Sequence, residues 1–258
     1  MTIGMIRYAI PNVFKDRSNS RDVASLYEEP YFSDRFNIFR NVTLESFNQQ
    51  TNKNFKLLIY HTNSIPDDKK ILFNELEKQY PFIQNLYIEN GEMYIPEELK
   101  EDINLTFRID NDDGIAVDFI EKLEAIKTNY TEDLIISIPH IYKIGRCDKE
   151  TYNVMQLDYP SNSIGLAYLT NAEKTIMDLG NHYDLVSRFK SKLLDGNGGL
   201  QIINGYNVAN SFENRAGKNK STIKDMTLDE LKHLLIQNNY PDLDISILPI
   251  LEERKNND

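Results

Sequence analysis

The sequence predicts an α/β fold, with a mixed, mostly parallel sheet flanked by helices in a single domain. Through residue 140, β-prone runs alternate with amphipathic runs in the order β-α-β-α-β-β-α-β, which is typical of a parallel-rich sheet. A length of 258 residues is enough to bury a full core. No change in composition and no internal repeat marks a second domain. We therefore predict one domain over residues 1–258, with halves at 1–140 and 141–258.

The first half reads as strands and helices in turn. Ser33 is a typical N-cap residue and predicts a helix from about residue 34 to residue 50. Pro66 begins a second helix, and the carboxylates that follow it complement the helix dipole. The buried stripe of this helix is predicted to be Leu72, Leu76 and Tyr80. The predicted strands are residues 3–10, 55–61, 82–89 and 105–110, and residues 11–30 are predicted to be a long loop.

A third helix follows Gly114, because apolar residues recur at steps of three and four from Ala116 to Tyr130. Thr227 and Glu230 form a capping-box pattern for a last helix. That helix is expected to turn Leu228, Leu231 and Leu235 inward. The other predicted elements are strands at residues 134–138, 154–158, 165–170 and 200–203 and helices at residues 172–179 and 184–194.

Composition excludes several classes of protein. The net charge of -11 argues against a general nucleic-acid binder. No run approaches the ~18 apolar residues that span a bilayer, and the N-terminus lacks a secretory pattern. We therefore expect no transmembrane segment and a cytoplasmic location, either free or peripheral at a membrane. The single cysteine, Cys147, excludes an internal disulfide and has no histidine partner in sequence, so we read it as unreactive.

An acidic motif is the most informative feature of the chain. The β-prone run that begins at Asn104 ends in Asp110, Asp112 and Asp113, three carboxylates within four residues, and Gly114 follows. Carboxylates this close repel one another unless a cation or a hydrogen-bonding ligand lies among them. Hard divalent cations prefer oxygen ligands and keep positions open for phosphate oxygens. A metal-diphosphate site at the end of a strand is therefore the first hypothesis.

Three other interpretations of the motif stay open. Asp and Gly are common in plain surface turns. Asp110, Asp112, Asp118 and Glu121 also fall at positions one, three, nine and twelve of a calcium loop, although the glycine stands at position five instead of six and a strand precedes. A nucleotidyltransferase would use a similar acidic site, but residues 3–14 lack the glycine-rich, basic phosphate loop that such enzymes need.

The motif Arg108-Ile109-Asp110-Asn111-Asp112-Asp113-Gly114 resembles the "Putative rhamnosyl transferase" family, which is similar to the GT-A glycosyltransferases with their Asp-X-Asp motif. The similarity extends to Arg35-Phe36 with Phe39, to residues 46–51 and 54–59, and to residues 200–205 with Asn207 and Asn210. It covers about residues 33–210. Where Asn204 stands here, the family often has a histidine. The resemblance implies a GT-A-like, Rossmann-like sheet, with a nucleotide-sugar-binding first half and an acceptor-side second half.

The resemblance also implies the chemistry. The donor would be a nucleoside-diphosphate sugar such as dTDP-rhamnose, the acceptor a glycan or lipid-linked molecule, and the cofactor Mn²⁺ or Mg²⁺. Asp112 would hold the metal with help from Asp110, which would also lie near the ribose, and Asp113 would contact the sugar or support the metal ligands. The predicted nucleotide-sugar-binding residues are Arg108, Asp110, Asn111, Asn207 and Lys218. For the basic stretch that holds Lys218, a solvated loop is an equal alternative to a phosphate contact.

The general base is not fixed by the sequence. His182 follows Gly180 and is the candidate histidine, as a base, a third metal ligand or a capping group. His61 and His140 are less favoured. The candidate carboxylates in the second half are Asp158, Glu173, Asp178 and Asp184.

Overall fold

The computed structural model describes residues 1–10, 24–89, 91–101, 104–129, 132–205 and 222–251. Within these ranges twelve strands form two sheets. The strands are β1 Thr2–Ala9, β2 Phe55–Thr62, β3 Ile83–Ile88, β4 Asn104–Arg108, β5 Asp113–Ile115, β6 Leu134–Ser137, β7 His140–Arg146, β8 Thr151–Asp158, β9 Leu166–Thr170, β10 Ser191–Leu193, β11 Asn197–Ile203 and β12 Ile223–Thr227. The helices are α1 Tyr31–Ile38, α2 Glu45–Asn48, α3 Asp67–Gln79, α4 Phe119–Lys127, α5 Leu185–Arg188 and α6 Leu228–Gln237.

The first sheet has the order β10-β6-β9-β4-β1-β2-β3. β1 lies parallel to β2 and β4, β2 lies parallel to β3, and β6 lies parallel to β10. β9 is antiparallel to both β4 and β6. Most residues of β1 and β2 are buried, as expected for central strands covered on both faces. The predicted mixed, mostly parallel sheet is confirmed.

A second sheet, of order β12-β8-β7-β11-β5, was not predicted. Its strands pair antiparallel except for β7 and β11. Strand β7 was missed because Lys143, Gly145 and Arg146 interrupt its apolar pattern. Lys143 is nevertheless fully buried. A lysine normally indicates an exposed position, so its presence in the middle of β7 masked the pattern of a buried strand.

The first helical stretch runs from α1 through a π-helical segment, Phe39–Leu44, into α2. The prediction that Ser33 caps it was wrong: the helix begins at Tyr31 after Pro30. The backbone N–H of Ser33 instead donates to the Glu29 carboxylate at 3.1 Å. Pro30 fits this start because the residue before a helix needs no backbone donor.

The other helices match the predictions unevenly. In α3 the buried residues are Phe73 and Leu76, so Phe73 replaces Leu72 at the centre of the predicted stripe. Helix α4 begins at Phe119, three residues after the predicted Ala116. The capping box of α6 is confirmed, since Thr227 Oγ1 accepts from the Glu230 N–H at 3.3 Å.

The predicted helices at residues 172–179 and 184–194 were wrong. Short 3₁₀ segments, Ile176–Leu179 and His182–Asp184, stand there, followed by one turn of α5 and then by β10. Gly180, with φ of +80°, ends the first segment. A backbone in this region cannot continue a right-handed helix.

The core consists of three apolar clusters, which lie on both faces of the first sheet and on both faces of the second. Gly4 marks the tightest approach: a Cβ there would lie 2.4 Å from both Leu57 Cδ2 and Phe107 Cζ on the flanking strands. In the described ranges, no helix is long and apolar enough to cross a membrane.

Candidate active site

The acidic motif forms a turn, residues 109–112, that joins the two sheets. β4, in the first sheet, ends at Arg108, and β5, in the second, begins at Asp113. The Asp113 N–H donates to the Asp110 carbonyl at 3.3 Å and closes the turn. Ligands of parallel α/β sheets bind beyond the carboxyl ends of the strands, so this acidic turn lies at the edge where a ligand is expected.

Asp112 is partly buried and is held from the second sheet. Asn204, which directly follows β11, donates from Nδ2 to Asp112 Oδ2 at 3.1 Å. Burial, together with the neighbouring charge of Asp110, raises the pKa of Asp112 to about 6, while Arg35 and the Asn204 hydrogen bond favour the ionised form. The site therefore holds an ionised Asp112 at a cost that a bound cation would lower.

Arg35 reaches the turn from α1. Its Nη2 donates to the Tyr8 carbonyl near the end of β1 at 2.5 Å, and its Cζ lies 4.8 Å from the Tyr8 ring centroid. Its Nη1 is buried without a hydrogen-bond partner among the residues described. The guanidinium is thus fixed on one side and available on the other.

Arg108 and Arg7 flank Asp110 on the other side. Arg108 Nη2 lies 3.7 Å from Asp110 Oδ1. Arg108 is only 8% exposed, and its Nε has no hydrogen-bond partner within the described chain. Arg108 and its register partner, Met5, point to one face of the first sheet, and Ile109 points to the other face. Burial and the charge of Arg108 lower the pKa of Arg7, and Asp110 partly offsets this effect.

Asp113 turns into the protein instead of toward the turn's open edge. It is paired in register with Gln201, which is paired with Lys143. We call this set, Asp113, Gln201 and Lys143, the buried polar row, because the three residues are 1%, 6% and 0% exposed. Burial and the charges of Asp112 and Asp110 raise the pKa of Asp113, and Lys143 opposes that shift. This placement gives Asp113 an internal counter-charge.

The other predicted donor contacts have mixed outcomes. Asn111 is 4% exposed, and its Nδ2 has no hydrogen-bond partner in the described part of the chain. Asn207 and Lys218 lie outside the described residues. Their predicted roles stay predictions.

The candidate bases lie in different parts of the second half. His182 is in the 3₁₀ segment after β9, with its ring centroid 4.1 Å from that of Tyr183. Asp178 is used in a capping box with Thr175, and Asp184 pairs with Arg188 at 3.1 Å. The base therefore stays unassigned by geometry.

His61 and His140, the two less favoured candidates, have structural surroundings. His61 is fully buried, its Nε2 lies 3.1 Å from Asn85 Oδ1, and burial lowers its pKa to about 4. His140 Nδ1 lies 2.5 Å from Asp158 Oδ1 on the neighbouring strand. Both histidines therefore have a partner within the protein.

Within the described ranges, no three His, Cys, Asp or Glu side chains group as a metal cage would. The calcium-loop residues do not converge either: Asp118 pairs with Lys122 at 3.0 Å, and Glu121 accepts from Thr51 at 2.8 Å. Asp110 and Asp112, with the amide of Asn204, are what the described chain offers to a cation.

Sequence reasoning assigned no role at the site to four residues near the acidic turn. They are Arg7, Arg35, Lys143 and Gln201. Arg7 carried a signal, as a charge inside an apolar strand. The buried polar row depends on register between strands that are far apart in sequence, and that register is not visible in one chain.

Solved structures give distant likenesses. S. aureus TarS 1-349 in complex with UDP-GlcNAc has a TM-score of 0.43 and 9% identity, over 78% of this chain and 58% of that chain. A putative glucose-1-phosphate thymidylyltransferase from Bacillus anthracis has a TM-score of 0.33 and 10% identity, over 76% of this chain and 88% of that one. The 4-diphosphocytidyl-2C-methyl-D-erythritol synthase from Anaerococcus prevotii has a TM-score of 0.34 and 14% identity, over 76% of this chain and 86% of that one. The chain spans less than two thirds of the TarS structures that it matches.

Sequence comparison is more decisive. None of the curated proteins compared with this chain matches it. The family described as "Putative rhamnosyl transferase" matches residues 1–216, most of the chain. Those residues include the acidic turn, Arg7 and Arg35, and the strand that leads to Asn204. The chain belongs to this family.

Proposed function

We propose that this protein is a metal-dependent GT-A-like glycosyltransferase that moves a sugar from a nucleoside-diphosphate donor to a glycan or lipid-linked acceptor. The family description names a rhamnosyl group, and we propose L-rhamnose as the sugar and dTDP-rhamnose as its donor. The observation that carries the proposal is the acidic turn, which places Asp110 and Asp112 beyond the carboxyl end of β4 with Asn204 bonded to Asp112.

The residues of the turn fit a divalent cation. Asp110 and Asp112 offer hard oxygen ligands, and their mutual repulsion is relieved by a positive charge between them. Mg²⁺ and Mn²⁺ sites in nucleotide enzymes often use one or two carboxylates, with phosphate oxygens and waters completing the shell. We therefore assign Asp112, with Asp110, to Mn²⁺ or Mg²⁺. A bound cation would stabilise the negative charge that develops on the leaving diphosphate.

The protein side chains have separate tasks in this proposal. Asp110 is the more exposed carboxylate, with 43% of its side chain accessible, and we propose that it lies near the ribose of the donor. Arg108 and Asn111 contact the donor, since Arg108 Nε and Asn111 Nδ2 are buried donors that lack acceptors among the described residues. Asn207 and Lys218 are further donor contacts that come from the sequence alone.

The acceptor side belongs to the second half of the chain, residues 141–258. Transfer requires a base that removes the proton of the acceptor hydroxyl as the sugar carbon–oxygen bond forms and the diphosphate leaves. We propose His182 as the candidate for this base. Asp113 would act by fixing the position of the turn, because its carboxylate is buried beside Gln201 and Lys143.

Calorimetric titration of the purified protein with dTDP, UDP and GDP tests this function. Each nucleotide is titrated with Mn²⁺ and again with EDTA. Asp112→Asn is the test variant, and Asp229→Asn is the matched control, since Asp229 is an exposed aspartate in the first turn of α6. We expect Mn²⁺-enhanced binding of one nucleotide, lost in Asp112→Asn and kept in the control.

The rival functions give different results. A calcium-binding domain would bind Ca²⁺ tightly without nucleotide, and that outcome would overturn the proposal. A nucleotidyltransferase would release pyrophosphate from a nucleoside triphosphate and a sugar phosphate. A glycosyltransferase releases a nucleoside diphosphate from the nucleotide sugar when an acceptor is supplied, so identifying the released product separates the two enzymes.

A further inference from the structure

Among the described residues, three arginines lie around the acidic turn, in a chain whose net charge is -11. Arg7 is on β1, Arg108 is the last residue of β4, and Arg35 is on α1. Arg7 interacts electrostatically with both Arg108 and Asp110, and Asp112 interacts with both Asp110 and Arg35. The five groups therefore form one electrostatically connected set.

Arg7 and Arg108 lie on the same face of the first sheet. Met5 is the register partner of Arg108, and Arg7 is two residues further along β1, so all three side chains point to one side. Two guanidiniums this close repel each other. Within the described ranges the Asp110 carboxylate forms an ion pair with Arg108, at the long distance of 3.7 Å.

The charge balance of the described residues favours an anion. Arg7 and Arg108 interact with Asp110 from one face of the first sheet, and Arg35 interacts with Asp112 from the face of Tyr8. Asp113 does not offset these three charges, because it is turned toward Lys143 in the buried polar row. Arg108 Nε and Arg35 Nη1 are buried donors with no hydrogen-bond partner among the residues described. A buried donor left unpaired is costly, and an anionic oxygen would satisfy it.

We propose that Arg7, Arg35 and Arg108 form a diphosphate-binding subsite that binds its anion without a metal. The planar guanidinium matches the geometry of phosphate oxygens. The anion's identity as the donor's diphosphate rests on the proposed function. The consequence is a division of tasks: the arginines supply affinity for the diphosphate, and Asp110 and Asp112 supply the added affinity that depends on the cation.

Inorganic pyrophosphate in EDTA is the sharpest probe, because it carries neither base nor sugar. Calorimetric titration compares the wild type with Arg7→Gln and Arg35→Gln, and with Arg40→Gln as the matched control. Arg40 is an exposed arginine on the same helical stretch as Arg35. Arg7→Lys and Arg35→Lys keep the positive charge but lose the planar, bidentate guanidinium. They replace a glutamine variant in the test if that variant does not fold.

We expect pyrophosphate to bind the wild type and Arg40→Gln equally, and Arg7→Gln and Arg35→Gln about tenfold more weakly or worse. The lysine variants should fall between the wild type and the glutamine variants. Asp112→Asn should bind pyrophosphate in EDTA at least as tightly as the wild type, because a carboxylate that repels the anion is removed.

Equal pyrophosphate affinity in the wild type and both glutamine variants would overturn the subsite. Absence of pyrophosphate binding to the wild type would overturn it as well. The proposed function fails separately, if Mn²⁺ does not enhance nucleotide binding. Arginine-dependent pyrophosphate binding without that enhancement would keep the anion subsite and reject the metal-dependent transferase.

Discussion

Replacing Asp112 by asparagine should stabilise the protein while abolishing transfer. Burial and Asp110 raise the pKa of Asp112 from 3.8 to about 6. A pKa shift of one unit corresponds to ~1.4 kcal/mol, so keeping Asp112 ionised in the folded protein costs at most about 3 kcal/mol. Because Asp112 is partly exposed to solvent, we expect a gain of about 1–2 kcal/mol at pH 8. The Asn204 hydrogen bond can persist, since an asparagine carbonyl also accepts.

The gain must depend on pH with a defined sign. A carboxyl group whose pKa is raised on folding favours the folded state fully below its unfolded pKa, and this contribution is lost as the pH rises through the folded value. For Asp112 the loss falls between about pH 4 and pH 6. Asp112→Asn should therefore match the wild type at pH 4 and exceed it at pH 8.

Urea denaturation in EDTA at pH 4, 6 and 8 measures this difference. Asp229→Asn is the control, because Asp229 is exposed. A lower free energy of unfolding for Asp112→Asn at pH 8 would refute the reasoning and make Asp112 a structural residue. A gain of equal size at pH 4 would show that charge is not its cause.

Four further outcomes follow from the structure. Lys143→Met should lower the free energy of unfolding by about 3–5 kcal/mol, because it strands a buried Asp113, and Asp113→Asn in the same chain should restore most of it; denaturant titration of the single and double variants measures both. Gly4→Ala should cost at least about 2 kcal/mol through its clashes with Leu57 and Phe107, seen as a lower urea midpoint. Asn204→Ala should weaken Mn²⁺-dependent nucleotide binding and leave pyrophosphate binding in EDTA unchanged, because it removes the hydrogen bond to Asp112 and changes none of the three arginines. His182→Gln should lower kcat and leave donor KM unchanged if His182 is the base, and an unchanged kcat removes it from that role.

The sequence predicts the first sheet well, because apolar runs of six to eight residues in β1, β2 and β3 are local signals. It predicts the second sheet poorly. Lys143 lies in the centre of β7 and is read as a surface residue until its partner, Asp113, is known. The helix predicted at residues 184–194 failed for another reason, since the tertiary pairing of β10 with β6 overrides local helical propensity.

The candidate site shows the same division. Asp110 and Asp112 are recognisable because they are adjacent in sequence and follow a strand. Arg35 and Asn204 reach Asp112 from positions 77 residues before and 92 residues after it. Only the resemblance to the family pointed to these two positions, and it gave neither of them a contact.

The acidic turn has a consequence for how the motif can vary. Its two adjacent carboxylates have different surroundings. Asp112 lies at the edge of the sheet with Asn204, while Asp113 is paired in register with Gln201 in the second sheet. Side chains alternate sides along a strand, so one inserted or deleted residue would exchange these two orientations. Such a change would bury Asp112, the proposed ligand-binding carboxylate, and would move Asp113 away from Lys143. The motif's spacing is therefore as much a folding requirement as a chemical one, and length changes here should be tolerated less than substitutions.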